Sequence, residues 1–456
     1  MRPDWSEQLD GRPEWGSGEL QISVIGCGYL GAVHAACMAS LGHDVIGIDV
    51  DANKVAELAA GRAPFYEDGL ADLLVEGETA GRLRFSSAVA DAASATVHFV
   101  CVGTPQKRGE NSADLRHVDA AMAELLPYLK PGDLVVGKST VPVGTAERLA
   151  ALVLEAEPGA TLVWNPEFLR EGHALQDTIS PDRLVYGVSD DPAGERATSI
   201  MNQVYAKALA NSTPLVVTDY TTAQLVKVAA NSFLATKISF INAMAELCEA
   251  TGGDVIQLAD AIGHDERIGR RFLNAGLGFG GGCLPKDIRA FMARAGELGV
   301  DQALTFLREV DSINLRRRVR MVDLAREVSE GSIVGRRVAV LGAAFKPNSD
   351  DVRDSPALSV AAQMSLQGAD VVVTDPQAIA NASAKWPDLN FVETVPEAVR
   401  GAELVLLLTE WNEYVTLDPT ELLRLVRHPR ILDGRNALDA AKWRAAGWTY
   451  RALGRR

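Results

Sequence analysis

The sequence has 456 residues, 47% of them hydrophobic, which is enough to build more than one hydrophobic core. It carries 45 lysine and arginine against 60 aspartate and glutamate, a formal net charge of −15 at pH 7. Such a balance argues against binding nucleic acid or an anionic membrane through the overall field, so an anionic ligand must meet local positive groups.

The cysteines and histidines argue against a secreted or metal-binding protein. The five cysteines are odd in number and include no CxxC pair, which fits neither a disulfide framework nor a zinc site. The seven histidines show no ligand spacing, so we predict no metal. Reduced thiols are expected in the cytoplasm, and no apolar run reaches the roughly 18 residues of a membrane span.

The amino-terminal half alternates between apolar runs and helical patterns. Residues 1–19 are polar, lack the apolar core of a signal peptide, and are predicted to form a mobile extension. A glycine turn and a helical stretch through Ser40 then separate two apolar runs, as in a βαβ unit. A mostly parallel doubly wound sheet is predicted over residues 20–215, with strands at 22–25, 45–48, 97–102, 134–137 and 162–164.

The middle of the chain changes character. Between Tyr220 and Leu324 the β-branched runs disappear, and residues 223–250 place apolar side chains at helical spacing. We predict an all-helical region over 216–324, part of which packs against another subunit.

The strand rhythm restarts in a third region over 325–456. A strand at 337–341, a helix at 356–367 and a strand at 370–374 are predicted there. The segment GHDV at 42–45 recurs as GADV at 368–371, and Asp49 recurs as Asp375, all offset by 326 residues. Two similar nucleotide-type α/β domains flanking a helical middle are therefore expected.

A GxGxxG turn follows the first strand and opens the first helix. Its glycines permit a tight turn and close approach of a pyrophosphate to the helix N-terminus. Asp49 ends the second strand, where its carboxylate can accept both ribose hydroxyls and repel the extra phosphate of NADP, so NAD is favoured. Lys54 either flanks the ribose or is a solvated helix residue. The predicted contacts are Gly26, Gly28, Tyr29, Leu30, Gly31, Asp49 and Lys54.

Two hydroxyl-bearing stretches follow later strands of the same sheet. Hydroxyls just beyond a strand can bond a cofactor or cap the next helix, and their place at the carboxyl edge favours the first role. We predict cofactor contacts from Gly103, Thr104, Pro105, Ser139 and Thr140.

The segment GFGGGCLPKD at 278–287 is the most informative in the chain. Its glycines let backbone approach a ligand closely, and Pro285 suits the first turn of a helix that begins just after Cys283. A helix N-terminus and Lys286 both favour the thiolate, which is the nucleophilic form. The other four cysteines fit the ordinary interpretation of small buried residues, with Cys101 in a strand.

Two further pairs have functional spacing. Glu167 and Glu171 follow a strand and supply two carboxylates for acid/base work or water activation. Lys227 and Asn231 lie four residues apart, on one face of a helix. Taken singly, each pair is more often a solvated surface pair, and their value lies in occurring together.

Together these motifs resemble the UDP-glucose 6-dehydrogenases, within the wider UDP-glucose/GDP-mannose dehydrogenases. The resemblance covers about residues 21–440 and rests on seven motifs in order: GCGYLG (26–31), VGTP (102–105), KSTVPVGT (138–145), NPEFLREG (165–172), the stretch 225–252, GFGGGCLPKD (278–287) and AAFKPNSDDVRDSP (343–356). It implies two Rossmann-like domains joined by a long helix, the first holding NAD and the second the nucleotide sugar. It also implies dimers formed through the central helices. Assembly of these dimers into larger oligomers stays open.

The resemblance also implies a chemistry: four-electron oxidation of UDP-glucose to UDP-glucuronate with release of two NADH. Cys283 resembles the nucleophile that forms a thiohemiacetal and then a thioester. Lys227 and Asn231 are implied to stabilise oxyanions, and Asp287 to assist Lys227 and the catalytic water. Glu167 or Glu171, with Thr140, is implied to position the water that hydrolyses the thioester.

Ligand contacts are implied in the same way. Arg267 resembles an arginine contributed by a neighbouring subunit, Arg435 one that reaches the sugar or diphosphate, and Arg353 one near the nicotinamide end of NAD. Lys286 and Glu171 are further expected cofactor contacts. Other expected substrate contacts are Glu167, Phe168, Leu169, Lys227, Asn231, Asn274, Leu277, Gly278, Phe279, Gly280, Phe345 and Lys346.

The chain departs from the family pattern in three places. Gly282 stands where serine is common, Leu284 stands where an aromatic residue is frequent, and residues 1–19 have no counterpart in the compact bacterial pattern.

Three alternatives stay open. They are a dehydrogenase for GDP-mannose or a UDP-N-acetylhexosamine, a non-catalytic nucleotide-sugar-binding protein, and a two-electron dehydrogenase that stops at the aldehyde.

Overall fold

The computed structural model describes residues 20–455, so the extension predicted over 1–19 lies outside the described residues. The chain divides into two compact units at residues 228 and 229, inside one long helix. Among residues 20–455, none of the helices combines the length and apolar character needed to cross a lipid bilayer.

The first unit is built on an eight-stranded sheet. Its strands are β1 Gln21–Ile25, β2 Asp44–Ile48, β3 Leu83–Ser86, β4 Val97–Val100, β5 Leu134–Gly137, β6 Thr161–Trp164, β7 Leu184–Gly187 and β8 Leu215–Thr218. They lie in the order β3-β2-β1-β4-β5-β6-β7-β8, with every neighbouring pair parallel except β6 and β7. The order reverses direction at β1, which is the doubly wound arrangement that leaves a ligand crevice at the carboxyl ends of the strands.

Helices of the first unit connect these strands. They are α1 Tyr29–Ser40, α2 Ala52–Ala59, α3 Leu70–Thr79, α4 Arg116–Leu125, α5 Thr145–Ala156, α6 Ala174–Ile179, α7 Pro192–Val204 and α8 Ala206–Ala210. Helix α1 is buried along nearly its whole length, since small and apolar residues cover both of its faces. The sheet is buried by helices on both sides, as parallel strands require.

All five strands predicted in this unit are present, with small shifts at their ends. The predicted strand at 97–102 ends at Val100, so Cys101 follows the strand and does not lie in it. Its N–H makes the last bond to the sheet, to Ile25, after which the chain turns away. Strand β8 carries the sheet to Thr218, three residues beyond the predicted domain end at 215.

Helices fill the middle of the chain, as the loss of β-branched runs predicts. They are α9 Tyr220–Thr251, α10 Val255–Gly263, α11 Leu284–Glu297 and α12 Thr305–Val328. Helix α9 has 32 residues and contains the whole stretch 223–250. Helix α11 begins directly after Cys283 with proline in its first turn, as predicted.

The second unit contains a six-stranded, fully parallel sheet. Its strands are β9 Arg337–Leu341, β10 Asp370–Thr374, β11 Asn390–Phe391, β12 Leu404–Leu407, β13 Arg430–Asp433 and β14 Thr449–Ala452, in the order β11-β10-β9-β12-β13-β14. Its remaining helices are α13 Pro356–Leu366, α14 Ile379–Lys385, α15 Val395–Val399, α16 Asn412–Val415, α17 Pro419–Leu422 and α18 Ala440–Ala445.

The repeated sequence pattern marks equivalent places in the two sheets. Strands β2 and β10 hold the GHDV and GADV segments, and each is followed directly by its aspartate. Each pairs in parallel with the central strand, β1 or β9, which is flanked on its other side by β4 or β12. The predicted fold class, two doubly wound α/β domains with a central helical region and a long helix, is confirmed.

Candidate functional site

The glycine turn has the geometry that a bound pyrophosphate requires. Gly26 has φ +88°, and a Cβ there would lie 2.6 Å from Val102 Cγ1. At Gly31 a Cβ would strike the backbone carbonyl of Gly26, so neither position accepts a side chain. A Cβ at Gly28 would meet nothing within 4 Å, and no side chain caps α1 there. The first N–H groups of α1 therefore face a space that an anion can enter.

Asp49 is tied to this turn. Its Oδ2 accepts a hydrogen bond from the Cys27 N–H (2.8 Å), and its Oδ1 accepts one from the Asp51 N–H (3.0 Å). Lys54 Nζ lies 2.9 Å from Oδ2, so the lysine is an ion-pair partner of the carboxylate. The turn and the acidic residue of the dinucleotide motif are therefore joined directly.

Hydroxyls connect the loops that follow β4 and β5. Thr104 Oγ1 donates to the Thr140 carbonyl, and Ser139 Oγ donates to the Val102 carbonyl, both at 2.7 Å. The two stretches predicted to contact the cofactor thus brace each other at the carboxyl edge of the sheet.

Glu67, which belongs to none of the sequence motifs, links the glycine turn to the loop after β6. Its buried carboxylate accepts a hydrogen bond from Tyr29 OH, from Gly172 N–H (2.7 Å) and from Ala174 N–H (2.6 Å). Burial, and then the hydrogen bond to Glu67, raise the pKa of Tyr29. The residue after Glu171 is therefore anchored to the start of α1.

Glu167, whose side chain is 16% exposed, forms an ion pair with the buried Lys138. Their Oε2 and Nζ atoms lie 3.0 Å apart, and the Lys138 side chain is only 4% exposed. Glu167 Oε1 accepts the N–H groups of Phe168 (2.7 Å) and Leu169 (3.0 Å). Both carboxylate oxygens therefore have fixed donors.

The two charges sustain each other. Burial alone would raise the pKa of Glu167, but Lys138 and then Lys227 outweigh it and hold that pKa below its usual range. Burial likewise opposes the charged form of Lys138, but Glu167 outweighs it and raises the lysine pKa. Glu167 is therefore held ionised, as an acceptor of hydrogen bonds.

Phe168 lies between two cations. The Arg183 guanidinium is 3.8 Å from the ring centroid, and Lys227 Nζ is 5.4 Å from it. This places Lys227 of helix α9 beside the loop that carries Glu167 and Phe168 within the first unit.

In the second unit, Cys283 differs from the other cysteines by being exposed. Cys27, Cys37, Cys101 and Cys248 are all buried. Burial raises the pKa of Cys37 and of Cys101 to about 12 and also raises the pKa of Cys27 and Cys248. Cys283 is the N-cap residue of α11, where the helix dipole favours a thiolate.

Asp287 is buried one turn into α11. Its Oδ2 accepts a hydrogen bond from Asn231 Nδ2 (2.7 Å), and its Oδ1 lies 2.6 Å from Lys286 Nζ. Asn231 is therefore fixed in rotamer by a carboxylate. Part of the Lys286 charge is balanced by the same group, which reduces what it can contribute to the Cys283 thiolate.

The glycine run before Cys283 is required by close packing. Gly278 and Gly281 have φ +84° and +83°, a region that favours glycine. A Cβ at Gly281 would lie 2.8 Å from the Phe345 ring, and one at Gly282 would strike the Arg353 guanidinium. Gly282 stands where the resemblance leads one to expect serine, and the Arg353 guanidinium occupies the space that a side chain at 282 would enter.

Arg435 binds backbone from three loops. It donates to the carbonyls of Leu408 (2.7 Å), Gly278 (2.9 Å) and Phe345 (3.1 Å). Its guanidinium therefore fixes the loops that carry several expected substrate contacts, in addition to any contact with a diphosphate.

The remaining expected substrate residues are placed around these loops. Leu277 is buried and its N–H bonds the Gly434 carbonyl, Asn274 accepts from Arg270, and Lys346 Nζ lies 5.3 Å from the Phe345 ring centroid. The Arg267 side chain is 89% exposed and forms an ion pair with its neighbour Asp265.

The sequence did not identify four further residues of these clusters. Lys138 and Asn165 each begin a quoted motif, KSTVPVGT and NPEFLREG, which was the available signal. Tyr205 and Glu67 belong to no motif. Within residues 20–455, no group of three or more His, Cys, Asp or Glu side chains is arranged to hold a metal ion.

Three family models match consecutive parts of the chain. They are the NAD binding domain (residues 20–209), the central domain (221–316) and the UDP binding domain (339–440) of the UDP-glucose/GDP-mannose dehydrogenase family. The cofactor is therefore NAD, in agreement with the glycine turn and Asp49.

Relatives match over nearly the full length. A UDP-glucose 6-dehydrogenase of Rhizobium meliloti (strain 1021) is 40% identical over 439 residues, 96% of this chain and 100% of the relative. The solved structure of a UDP-glucose dehydrogenase from Pyrobaculum islandicum is 39% identical with a TM-score of 0.86, covering 98% of this chain and 100% of the other.

A more distant structure has the same fold. A UDP-D-ManNAc dehydrogenase from Pyrococcus horikoshii is 26% identical with a TM-score of 0.83, covering 96% of this chain and 99% of the other. Sequence motifs, site geometry and full-length matches agree, and the chain belongs to the UDP-glucose/GDP-mannose dehydrogenase family.

Proposed function

We propose that the chain oxidises UDP-glucose to UDP-glucuronate through a covalent intermediate on Cys283. The observation that carries the proposal is that Cys283 alone among the five cysteines is exposed, at a helix N-terminus after a glycine run in which Gly278 and Gly281 have positive φ. The reaction balances as one primary alcohol, two NAD⁺ and one water giving one carboxylate, two NADH and three protons. The names of the 40% and 39% identical relatives support this substrate.

The first unit has the residues to hold NAD. The N–H groups at the start of α1 would bind the pyrophosphate, and Asp49 would accept the ribose hydroxyls. NAD held there would supply the hydride acceptor for each of the two oxidation steps. Thr104 and Ser139 keep the neighbouring loops closed against each other.

Cys283, Lys227 and Asn231 divide the work at the reacting carbon. The Cys283 thiolate adds to the aldehyde to give a thiohemiacetal, and removal of hydride from that carbon leaves a thioester. The Lys227 ammonium and the Asn231 amide donate to the developing oxyanion. Asp287 holds the Asn231 amide, because it accepts one of its N–H groups.

Water must then release the product from sulfur. Water adds to the thioester carbon, the C–S bond breaks with its electron pair leaving on Sγ, and a water proton passes to an acceptor. Glu167, ionised and positioned by three donors, is the acceptor that we propose, with the Thr140 hydroxyl and Glu171 orienting the water.

We also propose a role for each of three parts of the chain. Residues 20–215 would bind NAD, 216–324 would mediate dimerisation and 325–456 would bind the UDP-sugar, a division supported by the extents of the three family matches. Lys346, Arg267 and Arg435 would supply the local positive charge that the diphosphate needs, whereas Arg353 would contact NAD near its nicotinamide end. We propose a cytoplasmic location, where the Cys283 thiol stays reduced.

A homodimer through the central helices is part of the proposal. Phe233, Phe240 and Leu247 recur every seven residues on α9 and are 66%, 49% and 57% exposed. Since a heptad drifts only about 20° around a helix, they form one apolar stripe. Light scattering on a size-exclusion column should give a dimer, and Phe233→Glu/Phe240→Glu should give a monomer; a monomeric wild type would exclude the interface.

The test of the reaction is the number of NADH formed per UDP-glucose consumed. A ratio of two supports the thioester route, whereas one would indicate a reaction that stops at the aldehyde. A panel with GDP-mannose and UDP-N-acetylhexosamines decides the substrate, and turnover only with one of those would overturn UDP-glucose. NAD binding without NADH from any sugar nucleotide would indicate a non-catalytic binding protein.

A further inference from the structure

Lys138 is a buried cation whose charge the proposed reaction does not yet use. Its ammonium lies 3.0 Å from Glu167 Oε2, 3.0 Å from Asn165 Oδ1 and 3.2 Å from Tyr205 OH. Each of its three N–H donors therefore has an acceptor. A buried ammonium is costly unless it is paired in this way, and replacing such a pair by apolar residues often costs nothing in stability.

The partners of Lys138 are themselves fixed. Tyr205 OH donates to Asn165 Oδ1 (2.8 Å), and Asn165 Nδ2 donates to the Val185 carbonyl in β7 (3.0 Å). The ammonium is thus anchored to the sheet through Asn165, while Glu167 belongs to the loop after β6. The arrangement holds a carboxylate of a loop at a defined place relative to a rigid strand.

Few other groups around the pair can be charged. Burial lowers the pKa of His34 well below its usual range, and burial raises the pKa of Tyr205, Cys37 and Cys101 to about 12. These four side chains are therefore neutral between pH 6 and 9. Lys138 and then Lys227 are the cations that lower the pKa of Glu167 most. Glu67, which acts on the same Cys37 thiol as Glu167, and Arg183, which stacks on Phe168, are further charged groups near this loop.

We propose that Lys138 is a positioning residue for the hydrolytic half of the reaction, which keeps Glu167 ionised and aimed so that it accepts a proton from the attacking water. The inference rests on the proposed function. As water oxygen bonds to the thioester carbon and the C–S bond breaks, the proton released goes to Glu167 and then to solvent. Lys138 touches neither substrate nor cofactor in this role.

The sign of the effect follows from the geometry. Without Lys138, Glu167 is a buried carboxylate with Lys227 as its remaining cation, and its pKa rises. Hydrolysis then depends on the ionised form of Glu167, and this form is lost by protonation at low pH and restored at high pH. The loss should therefore be confined to the acid side, whereas damage to the structure would slow hydrolysis at every pH.

The experiment follows decay of the Cys283 thioester by rapid quench and intact mass, from pH 6 to 9, with NAD and UDP-glucose. For Lys138→Met we divide the rate of thioester decay by the wild-type rate at the same pH, and we expect this ratio to be about tenfold lower at pH 6 than at pH 9. Acyl-enzyme should therefore accumulate at pH 6. The matched control is Lys130→Met, which removes an ammonium that donates to the Ala93 carbonyl and which should keep the wild-type profile.

Two more variants make the test specific. Lys138→Met should have no effect in a Glu167→Gln background, because Lys138 acts through Glu167. Should Lys138→Met not fold, Asn165→Asp takes its place: a second carboxylate on the ammonium weakens its hold on Glu167 and should move the acid limb in the same direction. A pH-independent loss, or an unchanged profile in the folded variants, overturns the inference. Wild type that forms only one NADH per UDP-glucose overturns the proposed function instead.

Discussion

Asp49 and Asp375 occupy the same place in the two sheets and have different surroundings. Asp49 accepts two backbone N–H groups and pairs with Lys54. Asp375 accepts five hydrogen bonds: from the N–H groups of Ala343, Ala344, Gln377 and Ala378, and from Trp411 Nε1. One strand-end carboxylate keeps capacity for a ligand, whereas the other is consumed by its own unit.

The difference shows how a repeated architecture diverges. In the first unit the turn after β1 keeps the glycines that admit a pyrophosphate. In the second unit the backbone after β9 folds onto Asp375, and the Trp411 indole N–H donates to the same carboxylate. The chemistry proposed for the second unit lies instead at Cys283, the N-cap residue of α11, outside its sheet.

The largest expected effect concerns the exposed thiol of the second unit. Cys283→Ser should lower turnover by at least about 1000-fold, since the nucleophile is lost while binding residues remain. Cys248→Ala, a buried thiol of the same unit, is the control and should retain most activity. Initial rates of NADH formation measure both, and comparable losses in the two variants would contradict the role of Cys283.

The next effect concerns stability. Asp375→Ala leaves buried donors without an acceptor and should lower the free energy of unfolding of the second unit by about 3 kcal/mol or more. Denaturant titration followed by tryptophan fluorescence is the measurement. A loss below about 1 kcal/mol would show that water replaces the carboxylate and that Asp375 is not structural.

Asp49→Asn should act mainly on the cofactor. It keeps the shape of the side chain but removes the charge, so NAD affinity should fall about 10- to 100-fold while the preference over NADP narrows. Fluorescence titration with each dinucleotide gives both numbers. If the free energy of unfolding instead falls as much as in Asp375→Ala, both aspartates are structural, which would contradict the difference proposed between them.

The smallest effect tests the partner of Asp49. Lys54→Met removes an ion pair whose lysine is 27% exposed, so stability should change by less than about 1 kcal/mol and NAD affinity by a few-fold at most. The same titrations at low and high salt measure it. A loss as large as that of Asp49→Asn would mean that Lys54 contacts the nucleotide itself.

Much of the fold was readable because its signals are local. Strands β5, β9 and β10 were predicted with their observed ends, since continuous apolar runs bounded by turns are typical of buried parallel strands. Strand β8 was not predicted, because Val216 and Val217 are each 47% exposed at the end of the sheet and carry little pattern.

The sites were readable only where a motif marks them. Gly26, Asp49 and Cys283 lie in segments whose spacing points to a chemistry. Lys138 could not be recognised as a buried cation, because its burial depends on Asn165, Glu167 and Tyr205, which are 27, 29 and 67 residues away in sequence. Glu67 depends in the same way on a loop more than 100 residues distant.

The burial of four thiols makes the fifth, Cys283, selectively reactive toward alkylating reagents. A thiol-alkylating reagent at neutral pH reacts with thiolate, and burial keeps Cys27, Cys37, Cys101 and Cys248 protonated and covered. One equivalent of reagent per chain should therefore be taken up by the native protein, at Cys283. The labelling stoichiometry thus measures the fraction of molecules in which the Cys283 thiol is accessible, and the measurement needs no substrate.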